Sequence, residues 1–260
     1  MPAGGWRAGI KGKWNILVKP KKGIMKKWSL VILVMVTVVF TACEKVVGEG
    51  PIVTQHRSIS NFSGIDLRMN ADVIFTQSPN YSVEVRAQQN VLDVLGTEKR
   101  GNKLVIKLEN DVRLRRHEPV TLYVSGPHLS SLRVSGSGNI KTPSLIDADN
   151  LEIDISGSGD VQMADLVAPS LEANISGSGN IKVGTGVVPE EKLRISGSGD
   201  IDLANVQAQR VNTTTSGSGN IRVHALHELN VIISGSGNVY YKGQPSIYTS
   251  TSGSGKVRPM

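Results

Sequence analysis

Between residues 130 and 258 apolar side chains fall at every second position, in short runs that recur. Leu132/Val134, Ile153/Ile155, Ala173/Ile175, Leu193/Ile195 and Val231/Ile233 stand just before a repeated Ser-Gly-Ser-Gly, with Thr213/Thr215 and Thr249/Thr251 in the same slots. Ile140, Val161/Met163, Ile181/Val183, Ile201/Leu203, Ile221/Val223, Val239/Tyr241 and Val257 follow it. A period of two belongs to strands, and no stretch of residues 50–260 shows a helical period. A third apolar site falls in mid-repeat at Leu145, Leu166, Val188, Val206 and Leu226. The tetrapeptide begins at residues 135, 156, 176, 196, 216, 234 and 252, so its copies lie 21, 20, 20, 20, 18 and 18 residues apart. A fixed period of this size marks stacked repeats. Three short strands joined by corners close one circuit, and circuits stacked about 4.8 Å apart pair each strand in parallel with its copies. The pattern predicts an all-β fold, a single-stranded parallel β-helix or solenoid of about 20 residues per coil. The usual crossover preference between parallel strands makes it right-handed.

The structural corners comprise Gly136, Gly138 and Asn139; Gly157, Gly159 and Asp160; Gly177, Gly179 and Asn180; Gly197, Gly199 and Asp200; Gly217, Gly219 and Asn220; and Gly235, Gly237 and Asn238. Glycine tolerates the positive φ that lets a coil turn sharply. The Asn or Asp that follows tolerates left-handed backbone and bonds locally. Stacked copies predict a ladder of Ser and Asn side chains down one edge. Residues 57–134 follow a degenerate form of the pattern, with Asp72 of "LRMNADV" in the Asn/Asp slot. They read as three or four irregular N-terminal β-coils, because terminal repeats must cap an otherwise sticky edge. At the far end Thr249, Thr251, Lys256 and Pro259 replace apolar residues and discourage further stacking. Residues 57–258 thus form one domain, regular over 135–258.

A formal charge of +7 points at first to nucleic acid or a membrane surface. Residues 1–42, however, hold eight of the 29 Lys and Arg and none of the 22 Asp and Glu, so the remainder is near neutral. Met25-Lys26-Lys27 is a short basic start, and Trp28–Ala42 is uncharged. That stretch is shorter than the roughly 20 apolar residues needed to span a bilayer. "FTAC" (Phe40–Cys43) resembles the lipobox of bacterial lipoproteins. Residues 25–42 read as a lipoprotein signal peptide. The resemblance implies that Cys43 becomes the mature N-terminus and carries the lipid that anchors the chain in the cell envelope, at the outer membrane. Residues 43–56 read as a tether, and residues 1–24 as a mis-called extension upstream of a start at Met25. Cys43 is the only cysteine, so no disulfide staples the fold.

Seven such corners behind "FSGIDL" and "ADVIF" resemble the head GIN domain family, the auto-transporter adhesins of Bacteroidetes-type bacteria. The resemblance covers about residues 60–255. It implies a pectin-lyase-like β-helix whose role is adhesion, with no catalytic residue and no cofactor. Its partners would be the membrane, through the lipid anchor, and a surface glycan or protein ligand. The alternative on the same fold is a polysaccharide-active lyase or hydrolase that uses outward carboxylates. A third class is a periplasmic partner of an envelope-stress system.

The candidate chemistry is thin. "SGSGK" at 252–256 is no phosphate loop, because Ser250 stands where the first Gly belongs and Val257 follows the lysine. The corner serines lack an oriented base, although His224 and His227 lie in the coil after Ser216–Ser218. Asn180 separates Asp160 from Asp200. Two coils put those carboxylates about 9.6 Å apart, too far to share a metal ion. One outward column runs Glu152, Glu172, Lys192, Asn212, Asn230, and another Arg133, Asp154, Asn174, Arg194, Thr214, Ile232. Glu152 and Glu172 would have the spacing of a retaining glycosidase pair. Arg133 beside Asp154 and Lys192 beside Glu172 are instead what a solvated sheet face uses, so no catalytic residue is assigned. Tyr240 should point outward and Tyr241 inward; Tyr240 and Tyr248 offer either a sugar or partner patch or a cap for the last coil. The basic run Lys99, Arg100, Lys103, Lys107, Arg113, Arg115 and Arg116 is broken by acids and lacks stacking aromatics, which argues against nucleic acid.

Overall fold

The computed structural model describes residues 44–260, and in it the repeats stack as a β-solenoid of about six turns with ~20 residues per coil. Cys43, the segment 25–42 and residues 1–24 lie outside the described residues. The strands that precede the corners stack in parallel without a register shift. Leu151–Ile155 pairs residue for residue with Leu171–Ile175, and Ser170–Ile175 with Glu190–Ile195. The strands that follow the corners also stack in parallel and keep register over their first residues, so that Ile140, Val161, Ile181, Ile201, Ile221, Val239 and Val257 form one column. All of these except Val257 are buried, and with the pre-corner columns they make a continuous apolar core. Each aliphatic side chain in such a column contributes roughly 1.5–3 kcal/mol by burial.

The mid-repeat column differs from the sequence expectation at three positions. Leu145 is exposed and its neighbour Ile146 is buried, because a bulge between Thr142 and Leu145 shifts the phase of the strand. Ala225, not Leu226, faces the core, opposite Ala208. The 18-residue spacing of that coil removes two residues from the mid-repeat, and with them the expected phase. Val188 is buried, but its strand neighbour Val187 pairs with Val167 and Gln207, so Val188 stacks with Ala168 and Ala208 and not with Leu166.

The N-terminal region departs further. Gly64–Leu67 and Asp72–Gln77 form a coil beneath Ser131–Val134 and Asn139–Asp147. Lys103–Leu108 and Thr121–Gly126 stack in parallel on the other side of it. The rest is antiparallel, not coiled: Ser82–Gln88 lies between Ile52–His56 and Thr121–Gly126, and Leu95–Arg100 folds back on Lys103–Leu108. A helix of five residues, Gln89–Asp93, joins Ser82–Gln88 to the hairpin that begins at Leu95. Val83, Val85 and Ala87 alternate inward as a coil strand would, so period two does not separate the two topologies. The turn does. Only Gly101 and Asn102 separate Arg100 from Lys103, and Gly101 takes φ 60°, which suits a tight hairpin and leaves no room for a parallel crossover.

Residues 43–56, expected as a tether, also carry structure in their described part. Glu44–Val47 pairs in parallel with Val112–Arg115, and Ile52–His56 pairs with Ser82–Gln88. "IVTQH" alternates weakly and follows the Gly50-Pro51 turn, so it reads as a linker although it finds a sheet edge. Phe62 packs edge-on against Tyr81, with ring centroids 5.0 Å apart, near this end of the core. At the other end all six residues of Ser246–Thr251 are exposed. Among the described residues no helix is long and apolar enough to cross a membrane.

Candidate binding surface

The corners stack directly on one another. Ser158, Ser178, Ser198, Ser218, Ser236 and Ser254 each donate their backbone N–H to the first corner glycine one coil below, at 3.0–3.1 Å. None of the corner glycines has positive φ; among the described residues Gly50, Gly101, Gly186 and Gly243 do. This corrects the conformational reason given for them. Glycine is required because the backbones approach too closely for any side chain. A Cβ on Gly157, Gly177, Gly197, Gly217, Gly235 or Gly253 would overlap the carbonyl oxygen of the equivalent glycine below, and the second glycines, Gly159 to Gly255, meet the same obstacle. Gly136 and Gly138 would meet the backbone of Met69 and Ala71 instead.

The Asn and Asp residues likewise keep ordinary backbone, and their work is done by the side chain. Asn139 Nδ2 donates to Asp72 Oδ1 at 2.9 Å. Above it, each Oδ1 accepts the backbone N–H of the next coil: Asn139 from Asp160 (3.1 Å), Asp160 from Asn180 (2.7 Å), Asn180 from Asp200 (3.0 Å), Asp200 from Asn220 (2.7 Å), Asn220 from Asn238 (3.2 Å) and Asn238 from Lys256 (3.1 Å). The ladder thus carries the inter-coil bonding through the corner. Its amides also donate to the carboxylates below: Asn180 Nδ2 to Asp160 at 2.9 Å and Asn220 Nδ2 to Asp200 at 3.2 Å. Asn180→Asp would place three carboxylates on successive coils and remove that donor. We expect it to cost about 1–3 kcal/mol at neutral pH, measured by urea denaturation, and to recover as pH falls through the carboxylate range and the repulsion is titrated away. A loss of equal size at pH 4 and pH 7 would contradict the ladder.

On the pre-corner face the charges neutralise one another. Arg133 bonds Asp154 at 2.7 Å, Glu172 takes Arg194 at 2.7 Å and Lys192 at 3.1 Å, and Arg210 pairs with Glu190. Glu152 and Glu172 are neighbours in register. Lys192, seconded by Arg194, holds the Glu172 carboxyl below its ordinary range, which suits a permanent anion and not a proton donor. These pairs are well exposed and add little stability. Among the described residues no group of three or more His, Cys, Asp and Glu could hold a metal ion. Tyr240 and Tyr248 fall on different faces: Tyr240 stacks over Arg222, and Tyr248 over Asn230. Tyr240 and Tyr241 are both half-buried, and only Tyr241 packs on the core.

Two features escaped the sequence reading. Glu191 lies in an inward column between Leu171 and Val211, only 1% exposed. On the post-corner face, Lys141, Gln162, Lys182, Asp202, Arg222, Tyr240 and Arg258 share one column. Both were available from the repeats once aligned on the corner, at the fifth residue before each tetrapeptide and the second residue after each Asn/Asp slot.

The comparisons agree with this architecture. The family model described as "Putative auto-transporter adhesin, head GIN domain" matches residues 61–245. Among solved structures, the chain is similar to a "putative adhesin" from Bacteroides fragilis NCTC 9343, with 22% identity and a TM-score of 0.79 over 83% of this chain and 100% of that one. It is similar to a "putative lipid binding protein" from Parabacteroides distasonis ATCC 8503, with 27% identity and a TM-score of 0.70 over 84% and 100%. A "putative adhesin" from Parabacteroides merdae ATCC 43184 matches at 22% identity with a TM-score of 0.70 over 84% and 99%. The two likenesses at 22% are of fold. No curated protein matches the sequence.

Proposed function

The chain belongs to the head GIN domain family, whose model covers residues 61–245, and on that premise we propose that it is a lipid-anchored envelope scaffold that binds surfaces through the outer faces of its solenoid, without catalysis. The observation that carries this reading is the in-register stacking. It fixes long columns of exposed side chains on a rigid support, which suits recognition of an extended partner. The acidic residues best placed for hydrolysis support it too, since Glu172 is committed to Lys192 and Arg194. The lipid would be carried by Cys43 of "FTAC".

A screen of the full chain against bacterial and host cell surfaces and purified glycans tests the binding role; failure to bind any of them overturns it. Cleavage of a polysaccharide by the parent, lost in Glu152→Gln, would favour the enzyme instead. For the anchor, Cys43→Ser is expected to leave the chain unprocessed and to release it from the membrane fraction. Unchanged processing and fractionation would count against lipidation.

A further inference from the structure

The two outward sheet faces treat charge differently. On the pre-corner face Asp154, Glu172 and Glu190 each have a cation one coil away. On the post-corner face the cations are left over. Lys141, Lys182 and Arg258 make no ion pair or side-chain hydrogen bond among the described residues, and all three are exposed. Arg222 has a long contact of 3.7 Å to Asp200 and lies over the Tyr240 ring, 5.6 Å from its centroid. The register places these four cations on every second coil of one straight column, so they recur at about 9.6 Å along the stack. The alternate positions carry Gln162, Asp202 and Tyr240. Beside Lys141 and Lys182 runs a shallow groove of about 300 Å³ floored by Pro143, Ala164 and Gly184. Gly184 keeps that floor low, since a Cβ there would lie 2.7 Å from the carbonyl oxygen of Ala164.

We propose that Lys141, Lys182, Arg222 and Arg258 form a track for a linear acidic polysaccharide that lies along the stack with its carboxylates on the cations. The inference rests on the surface-binding reading and names the partner. In a ribbon-like uronate polymer successive sugars turn over, so the carboxylates on one side recur every second residue, as the cations do every second coil. A sugar residue is close in length to one coil rise. The sugars between charged contacts then meet Gln162 and Asp202, which hydrogen-bond hydroxyls, and the Tyr240 ring, which can underlie a sugar face. A single row of cations with an amide, a carboxylate and an aromatic interleaved suits one strand of polymer better than the broad surface of an anionic membrane. Nucleic acid fits poorly, with one aromatic on the column and Asp202 facing the backbone.

The test is binding of polygalacturonate to the full chain by isothermal titration. The double variant Lys141→Gln/Lys182→Gln serves as the probe, and Lys192→Gln, on the other face, as the control. The expected result is salt-sensitive binding that neutral dextran does not share, weakened roughly tenfold or more in the double variant and unchanged in Lys192→Gln. Absence of binding, an equal loss in both variants, or a preference for phosphatidylglycerol vesicles or DNA overturns the track. Cell binding that survives intact in the double variant overturns the track alone and leaves the surface-binding reading standing. A parent chain that binds no cell surface overturns the reading beneath it.

Discussion

A Gly199→Ala chain is destabilised by at least about 3 kcal/mol, enough to unfold the upper coils or the whole solenoid. The added Cβ would overlap the carbonyl oxygen of Gly179, and backbone cannot step aside as the end of a side chain can. To make room, two coils must separate where Asp200 donates to Asn180 and Ser198 donates to Gly177, so ladder bonds are lost with the clash. A matched control is Gly96→Ala in the N-terminal hairpin, where the nearest atom, the Lys107 carbonyl oxygen, would lie an ordinary 3.7 Å away. Urea denaturation followed by circular dichroism separates the two. Equal stability of the variants would mean that the corners are not in contact.

Glu191→Leu is expected to act in the opposite direction, raising stability by about 2–3 kcal/mol near neutral pH. The carboxyl sits in a column of leucines and valines, and neither oxygen has a hydrogen-bond partner among the described residues. Burial alone pushes its pKa well above the ordinary carboxyl value. Above that ordinary value the unfolded chain has released a proton that the folded chain still holds. Stability is therefore fully present in acid and falls with rising pH, by about 1.4 kcal/mol per unit, until the raised pKa is passed. Glu191→Gln should abolish this slope with little gain at low pH, because it leaves an unpaired polar group behind, while Glu191→Leu should abolish the slope and also raise stability. A parent whose stability is flat from pH 5 to 8, when the Leu variant's is flat too, would show that the carboxyl reaches water.

What the sequence discloses follows from what the stack repeats. The inward pairs around each tetrapeptide, such as Ile153/Ile155 and Ile181/Val183, are legible because strand period and corner spacing coincide there. The mid-repeat is less legible. A bulge or a two-residue deletion exchanges Leu145 for Ile146 and Leu226 for Ala225 without altering composition. The N-terminal strands are legible as strands but not as antiparallel ones, since Val83 and Val85 alternate as any half-buried strand does. The corner glycines are visible in the sequence, but their cause is not. The need for glycine comes from the coil below, a contact some 20 residues distant in the chain, and not from local φ. The same holds for the free cations of the post-corner column. Lys182 and Lys192 look alike in the sequence, and each has an acid beside it in register, Asp202 and Glu172, but of the two only Lys192 closes an ion pair, at 3.1 Å, which the structure shows and the sequence does not.

The direct measurement of the stack is a ruler along its corner. Spin labels at Ser158→Cys paired with Ser236→Cys or Ser254→Cys, in a Cys43→Ser background, sit on exposed corner serines four and five coils apart. Pulsed electron resonance should return distances near about 19 Å and about 24 Å, so that one added coil lengthens the separation by about 4.8 Å. Separations that fail to grow coil by coil, or that scatter broadly, would mean that the corners do not share a column.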